Sequence, residues 1–220
     1  LEKAQEHIRE EKIGGKIATR LGNGLAPLEP GETDTVIIAG MGGDLICKIL
    51  KAKPEFLIEG KEFILQPQSE WFKIRRLLKE YRYQIEKEWF LKEDGKYYVI
   101  IKAEPAWTQP QRLKHQQPSI HEYIKEISDT QVNQAVSEKD MESIYEQYGK
   151  YLIETKNPVL KEYLEKEITK KESIAAELKQ SIKEIESEEL SGKERGNIAK
   201  RQRRYQEIQK EIRDMRKAIG

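Results

Sequence analysis

Thr35-Val36-Ile37-Ile38-Ala39-Gly40-Met41-Gly42-Gly43 decides the fold class of this chain. Four of its first five residues are β-branched and none is charged, which predicts a strand buried on both faces of a parallel sheet. Glycines end the strand, and Asp44 to Leu50 follows in helical spacing. A second strand, Glu62 to Leu65, stops at Gln66-Pro67. Ser69 is the expected N-cap of a helix over Glu70 to Tyr81, with Leu77 and Leu78 inward. Tyr83 to Leu91 and Lys96 to Ala103 then read as two strands joined around Glu93-Asp94-Gly95, a hairpin signal. Upstream, Leu1 to Glu11 places Leu1, Ala4 and Ile8 on one helical face. Gly14-Gly15 breaks that pattern, Lys16 to Leu21 suits a short strand, and Gly22-Asn23-Gly24 is a turn. Parallel strands with crossovers, closed by an antiparallel hairpin, describe an α/β, partial doubly wound, Rossmann-like sheet.

Composition sets the outer bounds. The 220 residues are 37% hydrophobic and 36% charged, with a mean hydropathy of -0.81, so much of the chain must be solvated. Forty basic against 39 acidic residues leave a net charge of +1, which speaks against charge-driven disorder. The single cysteine, Cys47, excludes an intrachain disulfide framework and fits a reducing, cytoplasmic compartment. No apolar run approaches the roughly 20 residues of a membrane span. Leu1 in place of Met suggests a start inside a longer protein.

Texture divides the chain into an α/β part (1-104), an irregular linker or insertion (105-136) rich in Pro and Gln, and a helical part (137-220). In the last, Leu164, Ile168, Ala175, Leu178, Ile182 and Ile185 step by fours and threes, with Lys171 as a polar intrusion. After a break at Ser191-Gly192 the pattern returns as Ile198, Tyr205, Ile208, Ile212, Met215 and Ile219, with Arg201 in the seam. Two such segments predict an antiparallel coiled-coil hairpin whose first arm reaches about 45 Å.

Chemistry is first narrowed by exclusion. There is no phosphate-binding G-x-x-x-x-G-K-S/T string, no complete dinucleotide fingerprint and no G-x-S-x-G elbow. His7, His115 and His121 are scattered and Cys47 lacks a partner at ligand spacing, so no metal is expected. What remains is Gly22-Asn23-Gly24-Leu25 and Ala39-Gly40-Met41-Gly42-Gly43 at probable carboxyl ends of strands, with Gln66-Pro67 at a third. That edge of an open parallel sheet binds ligands, because its loops diverge. The alternative is that both glycine clusters are tight turns with no ligand.

At this point the residues resemble the bacterial tRNA (adenine-22)-N1-methyltransferase family. The resemblance is carried by Arg20-Leu21-Gly22-Asn23-Gly24-Leu25, by Asp34 to Gly43, and by Ile64-Leu65-Gln66-Pro67. Glu88, Tyr97 to Ile101, and Tyr148-Gly149-Lys150-Tyr151-Leu152 leading to Lys156 to Leu160 extend it. It implies a class I methyltransferase with a C-terminal coiled coil, using S-adenosylmethionine to methylate N1 of an adenine in tRNA.

Two departures accompany the resemblance. The family's opening strand, glycine-rich turn and acidic strand end precede anything here, which leads to the expectation of a fragment, inactive and weak in cofactor binding by itself. Asn23 stands where the family usually has Asp, keeping an acceptor without its charge.

By resemblance, Gly22, Asn23, Gly24 and Leu25 would border the cofactor's adenine. Ala39, Gly40, Met41, Gly42 and Gly43 would line the cleft between cofactor and target base. Gln66 and Pro67 would meet a flipped adenine, exposed because N1 lies on its Watson-Crick edge. No catalytic residue is assigned. From Lys193 to Arg204, six basic residues (Lys193, Arg195, Lys200, Arg201, Arg203, Arg204) face one acidic residue, Glu194, a pattern suited to RNA phosphates. A solvated coiled-coil surface would look similar. The rival to the enzyme reading is a non-enzymatic coiled-coil module, binding RNA or protein, attached to a degenerate α/β domain.

Overall fold

The computed structural model describes residues 1-106, 136-186 and 192-220; side chains of 136-139, 186 and 192-196 lie outside the description. Most of the Pro- and Gln-rich stretch, and the side chains of Lys193 and Arg195, therefore fall outside the described residues. The described chain forms two compact units, one of residues 1-86 and 101-106, the other of 87-100, 136-186 and 192-220.

In the first unit the chain runs α1 (Glu2–Glu10), β1 (Thr35–Met41), α2 (Gly43–Ala52), α3 (Pro54–Ile58), β2 (Glu62–Pro67) and α4 (Trp71–Glu80). β3 (Tyr83–Glu93) and β4 (Lys96–Pro105) follow and pass through both units. The sheet order is β1-β2-β4-β3, with β1 and β2 parallel and β2 and β4 antiparallel. Alternation places one row of side chains on one face. Val36 lies opposite Phe63 and Ile38 opposite Leu65; Phe63 then lies opposite Ala103 and Leu65 opposite Ile101. All six are buried, as are Ile46 and Leu50 of α2, Phe56 and Leu57 of α3, and Ile74, Leu77 and Leu78 of α4. Each large side chain so buried contributes roughly 1.5–3 kcal/mol of transfer free energy. Asp94 and Gly95, at φ 47° and 75°, supply the two positive-φ positions of a type I′ hairpin between β3 and β4.

Three expectations are corrected. β1 is not buried on both faces: Thr35 and Ala39 are exposed and Ile37 is 67% exposed. β-branching favours a strand but does not determine how many faces are covered, and β1 stands at the end of the strand order, with β2 as its one ladder partner among the described residues. Lys16 to Leu21 is not a strand. No described strand lies alongside to accept its ladder, and Ile17 and Leu21 are 44% and 81% exposed. Ser69 is not the cap of α4; Glu70 holds that position at φ 53°, ψ 42°, and the Ser69 carbonyl instead accepts the Gly43 N–H at 2.9 Å.

The second unit holds the hairpin tip with α5 (Val136–Tyr148), α6 (Lys150–Glu154), α7 (Pro158–Glu186) and α8 (Gly192–Ile219). Gly149, at φ 92°, separates α5 from α6. Asn157 starts α7: its Oδ1 accepts the N–H groups of Val159 and Leu160, each at 3.0 Å. The 29 residues of α7 span about 44 Å. α7 and α8 are antiparallel, because Ser181 meets Arg201 while Glu172 meets Arg216. Most of the expected seam is buried: Leu164, Ile168, Ala175 and Ile182, with Ile198, Ile208, Ile212 and Met215. Leu178, Ile185, Tyr205 and Ile219 are half-buried, and Ala218 is the buried residue beside Ile219. The seam's polar intrusions are satisfied across the pair, Lys171 by Glu211 and Arg201 by Ser181 at 2.8 Å. At the hairpin tip, the Tyr163 ring of α7 lies 5.5 Å from Phe90 and 5.0 Å from Tyr97. Among the described residues, no helix is long and apolar enough to cross a membrane.

Candidate active site

Where β1 ends, the sequence forces the chain off the ladder. Gly40 takes φ +79°, a conformation that costs an L-residue with a Cβ on the order of 1–2 kcal/mol. The β1-β2 register shifts between Ala39 and Met41. The N–H of Gly40 turns to Gln66, whose Oε1 accepts it at 2.8 Å. Two more bonds join the same loops: Gln68 N–H to Met41 O at 2.8 Å, and Gly43 N–H to Ser69 O at 2.9 Å. A Cβ on Gly43 would lie 2.6 Å from Glu70 O and 2.7 Å from Ser69 O, so this position is glycine by steric necessity. The loops after Ile38 and Leu65 thus form one interlocked ledge.

The ledge also closes the start of α2. The Asp44 N–H donates to a Glu70 carboxylate oxygen at 3.2 Å, and Lys73 bonds both Glu70 and Asp44, at 2.5 and 2.9 Å. Lys48 and Lys73 together hold the Asp44 carboxyl at about 2. With Gly43 and Asp44 already bonded, the α2 N-terminus is engaged by protein groups and is not an open anion site. Glu70 was not singled out by the sequence; a non-glycine residue at positive φ leaves no local pattern to read.

Gly22 to Leu25 is held separately. Arg20 clamps Glu32 through both guanidinium nitrogens, at 2.5 and 2.7 Å, and reaches Pro27 O at 3.1 Å. That pairing and the Glu29 N–H hold the Glu32 carboxyl at about 2. A Cβ on Gly24 (φ +57°) would lie 2.7 Å from Ile49 Cγ2, so the turn sits against the second turn of α2. Gly22, Asn23 and Gly24 are exposed while Leu25 is buried. The structure therefore joins Gly40 to Gln66 directly and seats Gly24 on α2.

Around the ledge, Ala39, Gly40 and Met41 are exposed, and nothing lies within 4 Å of where a Gly40 Cβ would stand. Gln66 Nε2 is buried with no hydrogen-bond partner among the described residues, and Pro67 O accepts from Trp71 Nε1 at 3.1 Å. Elsewhere on the sheet, Glu62, Glu86 and Glu104 bring carboxylate oxygens within 4.8 Å of one another. The Lys102 ammonium already bridges all three, at 3.0, 2.6 and 3.3 Å, so the place a cation would take is filled. Burial pushes the Cys47 thiol above its ordinary value, which makes it a poor thiolate ligand.

The arm cations divide into two sets. Arg201 is half-buried against Ser181, and Arg204 pairs with Glu207 and Glu211 at 3.2 and 3.6 Å. Lys200 and Arg203 are exposed and have no ion pair among the described residues.

Comparison with known proteins places this architecture. The sequence profile described as TrmK, tRNA (adenine(22)-N(1))-methyltransferase, matches residues 1–148. The tRNA (adenine(22)-N(1))-methyltransferase of Bacillus subtilis strain 168 is 32% identical over 162 residues, 59% of this chain and 67% of that protein. A tRNA methyltransferase of Mycoplasma pneumoniae is 32% identical over 96 residues, 44% of each chain. The crystal structure of the B. subtilis m1A22 tRNA methyltransferase TrmK matches with a TM-score of 0.64 at 23% identity, covering 99% of this chain and 76% of that one. M. capricolum TrmK, solved with S-adenosyl-homocysteine, matches with a TM-score of 0.60 at 21% identity, covering 98% and 74%. The two structures establish the Rossmann-like fold, and the profile with the B. subtilis relative establishes the lineage. This chain belongs to the tRNA (adenine(22)-N(1))-methyltransferase family.

Proposed function

We propose that the interlocked ledge forms one wall of a site for methyl transfer from S-adenosylmethionine to N1 of an adenine in tRNA, position 22 by family membership. The observation that carries this reading is the Gly40–Gln66 bond: it holds two strand-end loops as one surface beside exposed, Cβ-free backbone. Open space over Gly40 suits a planar group laid against its backbone. When bound, S-adenosylmethionine supplies an electrophilic methyl carbon on a sulfonium.

In this reading Gly40, between the exposed side chains of Ala39 and Met41 and ahead of Gly42 and Gly43, lets backbone approach the reacting groups closely. Gln66, fixed through its oxygen by Gly40, sets the rim that meets the target adenine, and Pro67 buttresses the strand end. Asn23 offers its side-chain oxygen to the cofactor's adenine amino group, between Gly22 and Gly24, with Leu25 anchoring the turn below. Acceleration comes from placing N1 in line with the methyl carbon, an effect of orientation. The arm contributes exposed cations, Lys200 and Arg203, to tRNA phosphates. The site of action is the cytoplasm, where tRNA substrates are met.

The test is mass-spectrometric mapping of adenine methylation in tRNA incubated with the intact natural protein and S-adenosylmethionine. N1-methyladenine at one D-loop-side position is the expected product. An intact protein that binds tRNA yet leaves every adenine unmodified would favour the non-enzymatic coiled-coil module.

A further inference from the structure

From Lys200 to Ile219, α8 carries eight basic residues against three acidic ones, a local excess in a chain of net charge +1. Its charges are not spread evenly. Arg201, Arg204 and Arg216 are tied to α7 or to carboxylates of α8 itself. Arg203, Lys210 and Arg213 are different: all three are exposed, and none has an ion pair among the described residues. With Gln206, also exposed, they follow steps of three, four and three. At about 100° per residue this row lies on the half of α8 turned away from Ile208, Ile212 and Met215, and it runs roughly 15 Å. Lys217 continues the row, leaning toward Asp140 at 3.8 Å.

We infer that this outward stripe of α8, and not the internally paired arginines, is the surface that grips the RNA backbone. The inference rests on the tRNA reading above and assigns the charges to it. Chemistry selects the partner. A membrane-surface helix or a protein-docking helix needs exposed apolar anchors beside its cations. The described part of α8 exposes no large hydrophobic residue, and Gln206 fills the row position between Arg203 and Lys210. Cations and amides on a rigid helix suit phosphate and ribose oxygens, which position a nucleic acid without reading its sequence. Arg203, Lys210 and Arg213 are also free to act, because none of them contributes to the seam or to an ion pair among the described residues.

The experiment compares the intact natural protein with the triple variant Arg203→Gln, Lys210→Gln, Arg213→Gln. A charge-matched control carries Lys150→Gln, Lys161→Gln and Lys170→Gln, whose ammonium groups sit in pairs with Glu154, Glu165 and Glu167. tRNA affinity is measured across a potassium chloride titration, with thermal melts to check folding. The stripe variant should melt like the parent and lose about 10- to 100-fold in affinity at low salt. The slope of log affinity against log salt should fall by about 2 to 3, since each lost phosphate contact removes about 0.7–0.9. The control should change less than threefold. An unchanged slope in the stripe variant, or an equal loss in the control, overturns the assignment. If the parent methylates tRNA adenine while the stripe variant keeps its slope, the stripe alone fails. If the parent neither binds nor methylates tRNA, the functional reading itself fails.

Discussion

Gly40 donates its backbone N–H to the Gln66 side chain at 2.8 Å, at the point where β1 leaves register with β2. A side chain thereby supplies the bond that the ladder gives up. A neutral hydrogen bond of this kind contributes about 0.5–1.5 kcal/mol net. Gln66→Leu should therefore raise the hydrogen-exchange rate of the Gly40 amide by roughly 2- to 12-fold. Gln66→Glu retains an acceptor oxygen and should leave that rate close to the parent's. Equal exchange in both variants would mean that the bond does not hold the loop.

Glycine is required at two positions of the ledge for different reasons. At Gly43 a methyl would meet two backbone carbonyl oxygens at 2.6 and 2.7 Å, neither of which can rotate aside. Gly43→Ala should destabilise the first unit by about 1–3 kcal/mol, the range of overpacking. At Gly40 the space is empty and the obstacle is φ +79°. Gly40→Ala should cost about 1–2 kcal/mol from the backbone, and Gly40→Asn less, because Asn tolerates left-handed geometry. Urea unfolding of the three variants separates the mechanisms; equal losses for Gly40→Ala and Gly40→Asn would remove the backbone explanation.

Periodicity made most of the seam of α7 and α8 legible, because burial every three and four positions is a property of the helix itself, while toward the C-terminus Ala218 is buried more fully than the expected Ile219. The hairpin turn at Asp94-Gly95 was legible from turn chemistry. Coverage of β1 was not: Val36 and Ile37 look alike in sequence, and only their neighbours make one buried and the other exposed. Ser69 departs from the expected cap for a related reason. Its residue type suits a cap, but the Gly43 N–H claims its carbonyl and the chain turns one residue later, at Glu70. At the site, glycine strings located the loops, while the pairing of Gly40 with Gln66 and the seating of Gly24 on Ile49 are contacts distant in sequence. The basic run from Lys193 to Arg204 was visible as charge, but which of its members are neutralised depends on partners in α7 and α8.

Asn157 accepts two backbone N–H groups at the start of the longest helix in the described chain. Replacement by Ala removes both bonds and should cost about 0.5–2 kcal/mol, while Gly should cost only a few tenths. Guanidinium unfolding followed at a helical wavelength checks this. An Ala variant as stable as the parent would show that tertiary packing alone starts α7.

Glu162 is the hub of the hairpin-tip network, accepting from Lys166, Lys92 and Tyr97 at 2.7, 2.6 and 3.1 Å. Lys166 and then Lys92 hold its carboxyl at about 2, well below the ordinary carboxylate value near 4.3. A group depressed in the folded state stabilises fully above its unfolded pKa. As pH falls from about 4.5 toward 2, the unfolded chain takes up the proton first and that stabilisation disappears. Glu162→Gln should therefore lower the melting temperature of the helical unit at pH 6–7, and the gap between parent and variant should close between about pH 4.5 and 2.5. The Tyr97 and Tyr163 rings, 5.0 Å apart and edge to face, give a near-ultraviolet dichroism signal local to the network. Added salt should narrow the same gap at neutral pH, because the group is exposed and its pairs are screened. A gap that persists unchanged to pH 2.5 would assign the loss in Glu162→Gln to packing and not to charge.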